Sequence, residues 1–207
     1  MSTVLLVLAD SRFPGGGHAH SGGVEEAAAR GLITDEPSLQ SFLDGRLRTN
    51  GLMSAAFAAA AVDGSWSTLD LELDARTPSP AQRAASRAQG KSTLRAGRVA
   101  WPSPLLDGLS QPHHAIAIGA LVRVAGGTPR EAAECAAYLS VSGPASAAVR
   151  LLGLDPFRVN AIVARVDLAT VVDEALKGLP MLGAPALDLF ADSHARIHQQ
   201  EVRLFVS

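Results

Sequence analysis

Aromatic side chains are scarce, since Phe, Trp and Tyr together make up 4% of the 207 residues. A core with few large rings must be filled by small and aliphatic side chains, and the apolar residues, 47% of the chain, are mainly Ala, Leu and Val. Ala has the highest helix propensity and lets helices approach closely. We therefore predict an all-α fold, a single-domain helical bundle over residues 1–207, because this length suits one domain and no low-complexity linker interrupts it.

Cysteine and unbalanced charge are also scarce. The lone Cys135 excludes an internal disulfide, favours a reducing compartment and lies in a helical pattern typical of a core position. A formal charge of −2 offers no basic surface for nucleic acid. The apolar run Val4 to Ala9 ends at Asp10, far short of the roughly 20 residues that span a membrane. We expect a cytoplasmic protein without membrane or nucleic-acid partners.

Helix start and stop signals punctuate the chain, and no alternating strand pattern of useful length occurs. Thr128 and Glu131 form a capping-box sequence, and Asp35-Glu36-Pro37 is a second start signal. The predicted helices are Thr3–Asp10, Ser21–Arg30, a stretch from Asp35 to Gly64, Thr68–Arg76, Ser79–Ala100, Pro112–Ala125, Thr128–Leu152 (kinked or split at Gly143-Pro144), Asp155 to about Lys177, and an amphipathic tail at Leu187–Phe205.

The stretch Ala85 to Thr93 approximates a phosphate-binding loop, with Gly90-Lys91-Ser92 at its end and Ala85 in place of the first glycine. Such a loop needs a buried strand before it, which positions the backbone N–H groups that hold the phosphates. A polar helical pattern precedes it here. We interpret the stretch as a helix with a basic exposed face at Arg83, Arg87, Lys91 and Arg95.

Two pairs of histidines raise the question of a metal site. His18 and His20 would point the same way in an extended chain, and His194 and His198 share a face of a predicted helix. Two ligands do not complete a site, and nothing in the sequence brings the pairs together. No nucleophile elbow or H-E-x-x-H helix is present either. We predict no catalytic residue, no resident metal and no cofactor.

The glycine-rich segment from Asp10 to Glu25 resembles the N-terminal signature of the UreF family of urease accessory proteins. In that family Asp-Ser-x-x-Pro-x-Gly is followed by an aromatic residue and Ser-His/Tyr-Ser-x-Gly-Leu-Glu. The matching positions are Asp10, Ser11, Pro14, Gly16, His20, Ser21, Gly23 and Glu25. His18 replaces the usual aromatic residue, and Gly22 replaces a residue that is usually larger.

Two later stretches are similar to the same family, in the same order. Ser146 to Leu154 resembles Ser-Ala-Ala-Val-Arg-Leu-x-Pro-Leu, with Gly153 in place of Pro. Pro185 to His194 and the ending Arg203-Leu204-Phe205-Val206-Ser207 resemble the family's C-terminus, although Ala195 stands where a Glu is usual.

The resemblance implies an all-helical, dimeric, non-enzymatic adaptor. Family members bind the accessory protein UreD (UreH in some species) and recruit the GTPase UreG, whose GTP hydrolysis they are proposed to modulate. The assembly loads nickel into apo-urease, whose active-site lysine is also carbamylated. In that scheme the phosphate-binding loop belongs to UreG.

Carried over residue by residue, the resemblance implies a partner-binding set: Pro14, Gly16, His20, Gly23, Glu25, Arg150, His194, Arg203, Leu204 and Phe205. The tail from about residue 187 to 207 is expected to become ordered when a UreD-like partner binds. The glycine-rich segment either fixes a turn or contacts a partner. A nickel-binding metallochaperone that uses the histidine pairs, a nucleotide hydrolase that uses Gly90-Lys91-Ser92, and a generic helical interaction domain remain alternatives.

Overall fold

The structure, a computed structural model, describes residues 3–180 and 185–197. Every regular element in these ranges is helical, which confirms the all-α prediction. The helices are α1 Thr3–Ala9, α2 Val24–Ala29, α3 Glu36–Arg46, α4 Leu52–Asp63, α5 Trp66–Ala75, α6 Pro80–Ala100, α7 His114–Val124, α8 Pro129–Leu152, α9 Pro156–Val163, α10 Leu168–Ala175 and α11 Pro185–Ile197. Short 3₁₀ turns lie at Gly17–Ala19 and Pro104–Leu106, and a π-helical turn at Leu47–Gly51 joins α3 to α4.

Helix α4 is the centre of the bundle and packs against α7, α8 and α10. It is apolar on all sides, as expected of a helix surrounded by others. Phe57 and Ala58 belong to one cluster of buried residues, with α6 and α7, whereas Ala55 and Ala59 belong to a second, with α3 and α10. Its many alanines keep α4 thin, so that neighbouring helices approach it closely on several sides.

The hydrogen bonds of two capping boxes confirm the predicted starts of α3 and α8. The Asp35 side chain accepts a hydrogen bond from the backbone N–H of Ser38, and Ser38 Oγ accepts one from the N–H of Asp35. Thr128 and Glu131 make the same reciprocal pair at the start of α8. Cys135 is buried in α8, as predicted, and burial raises the pKa of its thiol to about 12.

Helix α8 continues through Pro144, so the predicted split at Gly143-Pro144 does not occur. Proline has no N–H to donate to the carbonyl four residues earlier, which leaves that oxygen without its helical partner. Here the oxygen belongs to Ser140, and Arg46 Nε donates to it at 2.7 Å. A side chain from α3 therefore replaces the donor that the proline lacks.

The single helix predicted from Asp155 to about Lys177 is wrong, because the chain forms α9 and α10 with a break at residues 164–167. Asp167 caps α10 by accepting a hydrogen bond from the N–H of Thr170 at 3.1 Å. The break lets α10 pack against both α4 and α8. Asp167 is a helix start signal, but it lies inside an apolar pattern that predicted one continuous helix.

The stretch that approximates a phosphate-binding loop lies inside α6, and no strand precedes it in the described part of the chain. The predicted exposed basic face is only half correct. Lys91 and Arg95 are exposed, whereas Arg83 and Arg87 are half-buried beside acidic residues of α5. Arg87 contacts Asp70 at 2.9 Å and Asp74 at 3.0 Å, so it links α6 to α5. Among the described helices, none has the length and hydrophobicity that a membrane crossing requires.

Candidate functional site at the N-terminal loop

Residues 10–23, here called the N-terminal loop, are held by side chains from three helices that donate to its backbone carbonyls. Arg46 Nη1 donates to Gly22 O at 2.7 Å, and Arg150 Nη2 donates to His18 O at 3.2 Å. Thr93 Oγ1 of α6 donates to Gly15 O at 3.4 Å. The loop has little regular structure of its own, so these donors fix its path.

Glycines are required where this loop turns into α2. Gly22 and Gly23 have φ values of +62° and +91°, in the region that other residues adopt at a cost in energy. A Cβ atom at Gly23 would also lie 2.7 Å from Leu187 Cδ1 of α11. The second position therefore favours glycine for its backbone conformation, and a Cβ there would also force the Leu187 side chain of α11 to shift.

Two polar contacts attach α11 to α2 and its C-cap residue Arg30, although these segments are far apart in the sequence. His194 Nε2 donates to Glu25 Oε2 at 2.8 Å, and His194 is 4% exposed. Arg30 Nη2 donates to Ser193 Oγ at 2.8 Å, while its Nε donates to Glu26 at the same distance. Residues 25–30 and residues 193–194, which are far apart in the sequence, thus meet at one place.

The three stretches that carried the family resemblance converge here. The N-terminal loop lies between α8, which supplies Arg150, and α11, which supplies His194. Of the predicted partner-binding residues, Pro14 and Arg150 are exposed, Gly16, His20 and Glu25 are partly buried, and Gly23 and His194 are buried against their own chain. Arg203, Leu204 and Phe205 lie outside the described residues.

The histidines are arranged differently from the extended pair predicted at His18 and His20. Residues 17–19 form a 3₁₀ turn, so the spacing argument for an extended chain does not apply. His18 is exposed, whereas burial lowers the pKa of His20, with a smaller contribution from His18. His198 lies outside the described residues. Within residues 3–180 and 185–197, no group of three or more His, Cys, Asp or Glu side chains is placed to hold a metal ion.

Sequence reasoning missed the role of Arg46, which joins α3, α8 and the N-terminal loop. Pro144 inside a helical pattern does indicate that such a residue is needed. The carbonyl of Ser140 lacks its helical hydrogen-bond donor, and it requires one from elsewhere in the chain. The identity of the donor could not be read from the sequence, because Arg46 lies 94 positions away.

Replacing Gly23 by alanine is expected to loosen α11. Both Gly23→Ala and the control Gly31→Ala place alanine at positive φ, +91° and +69° respectively, and should each lose about 1–2 kcal/mol of stability. Only Gly23 has a neighbour that the new Cβ would strike, because nothing lies within 4 Å of a Cβ at Gly31. Hydrogen exchange should therefore accelerate at residues 187–194 in Gly23→Ala alone. Equal exchange in the two variants would show that α11 does not depend on this approach.

Comparison with known proteins identifies the family of this chain. The family model for UreF matches residues 33–167, well over half of the chain. The urease accessory protein UreF of Mycolicibacterium vanbaalenii is 46% identical to it, across 98% of this chain and 97% of that protein. The corresponding proteins of Mycobacterium marinum and Mycobacterium tuberculosis are 45% and 42% identical, each across 99% of this chain and 98% of the relative. The resemblance found in three short stretches therefore extends along the chain, which belongs to the UreF family.

Proposed function

We propose that the protein is an adaptor in the assembly of urease. In this role it binds a UreD-type (UreH-type) accessory protein and the GTPase UreG, promotes nickel incorporation into apo-urease and modulates GTP hydrolysis by UreG. It acts in the cytoplasm as a homodimer and has no catalytic residue of its own. The observation that carries the proposal is similarity to proteins named urease accessory protein over nearly their whole length.

Features of the described surface support an interaction role. An adaptor needs exposed apolar side chains that become buried in a complex. Leu189 on α11 is 67% exposed and Phe157 at the start of α9 is 85% exposed. In the sequence, α11 is followed by Arg203, Leu204 and Phe205, an apolar pair beside an arginine, which lie outside the described residues.

The test is reconstitution of urease activation with proteins from one source. Apo-urease, the UreD-type and UreG-type proteins, nickel, bicarbonate and GTP are combined with and without this chain. We expect urease activity and protein-bound nickel to rise only when the chain is present, and the chain to co-purify with both accessory proteins. Activation that proceeds equally without it, or failure to form any complex, would overturn the proposal.

An adaptor does not need to hold the metal itself, so we expect the isolated chain to bind nickel weakly. Equilibrium dialysis of the free protein should then show no tight stoichiometric site. Tight binding that is lost in a His18→Ala, His20→Ala double variant would instead favour a metallochaperone.

Removal of residues 203–207 should abolish the complex with the UreD-type protein while leaving the fold intact. The described core lies within residues 3–197, and the removed segment carries Arg203, Leu204 and Phe205. A matched control lacks only Val206 and Ser207, and it should bind normally. Size-exclusion chromatography and thermal unfolding measure binding and folding separately. Normal binding by the longer truncation would contradict this placement of the partner surface.

A further inference from the structure

A cavity of about 570 Å³ lies beneath the N-terminal loop, between that loop and helices α6, α8 and α9. Much of its lining is polar, and most of the polar groups can donate hydrogen bonds. They include Arg46, Arg150, His18, His20, Gln89 and Tyr138. The cavity is large enough for a small organic molecule.

Arg46 is the unusual member of this lining. It is half-buried, and its guanidinium has five N–H groups, of which one donates to Ser140 O and one to Gly22 O. Neither acceptor carries a charge. Within the described ranges no carboxylate forms an ion pair with Arg46, although two cavities border it.

The charge of this side chain persists at neutral pH. Burial lowers the pKa of Arg46 only to about 10, so the cation remains. A partly buried charge without a charged partner is still costly, and proteins usually pair it. The remaining N–H groups, on Nη1 and Nη2, form a planar fork that suits two oxygen atoms of one anion.

The acidic groups nearby have other partners. Asp10 borders the large cavity, but its carboxylate accepts hydrogen bonds from Arg12 Nε at 3.0 Å and Arg12 Nη2 at 2.6 Å. Asp188 borders a smaller cavity of about 130 Å³ that Arg46 also lines. Burial raises the pKa of Asp188, and the charged groups that act on it are Asp192 and Arg83.

We propose that this cavity binds a small soluble oxyanion, a carboxylate or phosphate compound, with the Arg46 guanidinium as its charged anchor. Gln89, Tyr138 and His20 line the same space and supply neutral polar groups to the rest of the ligand. The glycine at position 22 makes this possible, because a Cβ there would lie 3.1 Å from Arg46 Nη2. The site goes beyond the adaptor role and does not depend on it, since it lies within one chain.

Binding is tested on the full-length protein by thermal unfolding and titration calorimetry with phosphate, acetate and citrate, against chloride at matched ionic strength. We expect oxyanions to raise the unfolding temperature above the chloride baseline and to bind at one site per chain. Arg46→Gln should weaken this binding about tenfold or more, the usual effect of losing a charge-assisted hydrogen bond. The control is Arg48→Gln, an exposed arginine two residues away, which should bind as the unaltered chain does.

A measurement on the unaltered chain decides the matter even if Arg46→Gln folds poorly. Phenylglyoxal modifies accessible guanidinium groups, and mass spectrometry locates the modified arginines. Phosphate or citrate should protect Arg46 and leave Arg48 unprotected. Equal modification of Arg46 with and without oxyanion, or an unfolding temperature that responds no more to oxyanions than to chloride, would overturn the proposal and leave Arg46 with a purely structural role.

Discussion

Gly90→Ala is expected to lower the free energy of unfolding by about 3 kcal/mol, the upper part of the range for overpacking in a well-packed interior. A Cβ at this position would overlap the carbonyl oxygen of Pro112 and lie 2.9 Å from the carbonyl carbon of His113. Both are backbone atoms, which cannot rotate aside as the end of a long side chain can. Helix α6 would have to move away from the start of α7, and the core between them would open.

The control is Gly45→Ala in α3. No atom lies within 4 Å of a Cβ there, and the backbone is already helical. Alanine should therefore stabilise the protein by about 0.5–1 kcal/mol, through its higher helix propensity. Urea denaturation followed by circular dichroism measures both variants. A Gly90→Ala protein as stable as the parent would contradict the close approach.

This result also bears on the resemblance of Ala85 to Thr93 to a phosphate-binding loop. In such a loop, glycine lets the backbone approach phosphate, whereas here it lets α6 approach the chain that enters α7. Tight binding of a GTP analogue by the isolated chain would contradict that assignment.

Acidification from pH 7 to about pH 4.5 is expected to destabilise the protein strongly, because the folded chain holds a half-buried histidine in its neutral form. Burial lowers the pKa of His114 to about 3, from an ordinary value of 6.5. Between these two values the unfolded chain binds a proton that the folded chain does not. The free energy of unfolding should then fall by about 1.4 kcal/mol for each unit of pH lost across this window.

His114→Gln should flatten this dependence, and His18→Gln should leave it unchanged. The first removes the imidazole whose pKa is lowered by burial, whereas His18 is exposed. Some slope should persist in His114→Gln, because burial also lowers the pKa of His20 and His113. Urea unfolding of the parent and both variants at half-unit steps of pH provides the measurement. An unchanged slope in His114→Gln would show that other groups cause the acid sensitivity.

The helix boundaries illustrate how far local pattern reaches. The capping pairs at Asp35 and Thr128 involve residues three apart, and the structure forms both. The same local signal exists at Asp167, but the apolar pattern around it obscured the break between α9 and α10. At Pro144 the local signal is misleading. Proline usually ends a helix, but α8 continues because Arg46 supplies the hydrogen-bond donor that the proline lacks.

The candidate site was also only partly predictable from the sequence. Its residue types were visible in the sequence as three separated stretches, each too short to identify the family alone but specific when taken together in order. Their meeting was not visible, because the contact of Glu25 with His194 joins positions 169 residues apart.

The sequence by itself determined the helical class, most helix starts and the family, because these depend on residues within a few positions of one another or on the order of short motifs. Only the tertiary structure decided that α11 returns to the N-terminal loop, that Gly90 serves helix packing, and that Arg46 borders a cavity without a carboxylate partner in the described chain. These depend on distances between remote segments, which are set by how side-chain volumes fill the core around α4.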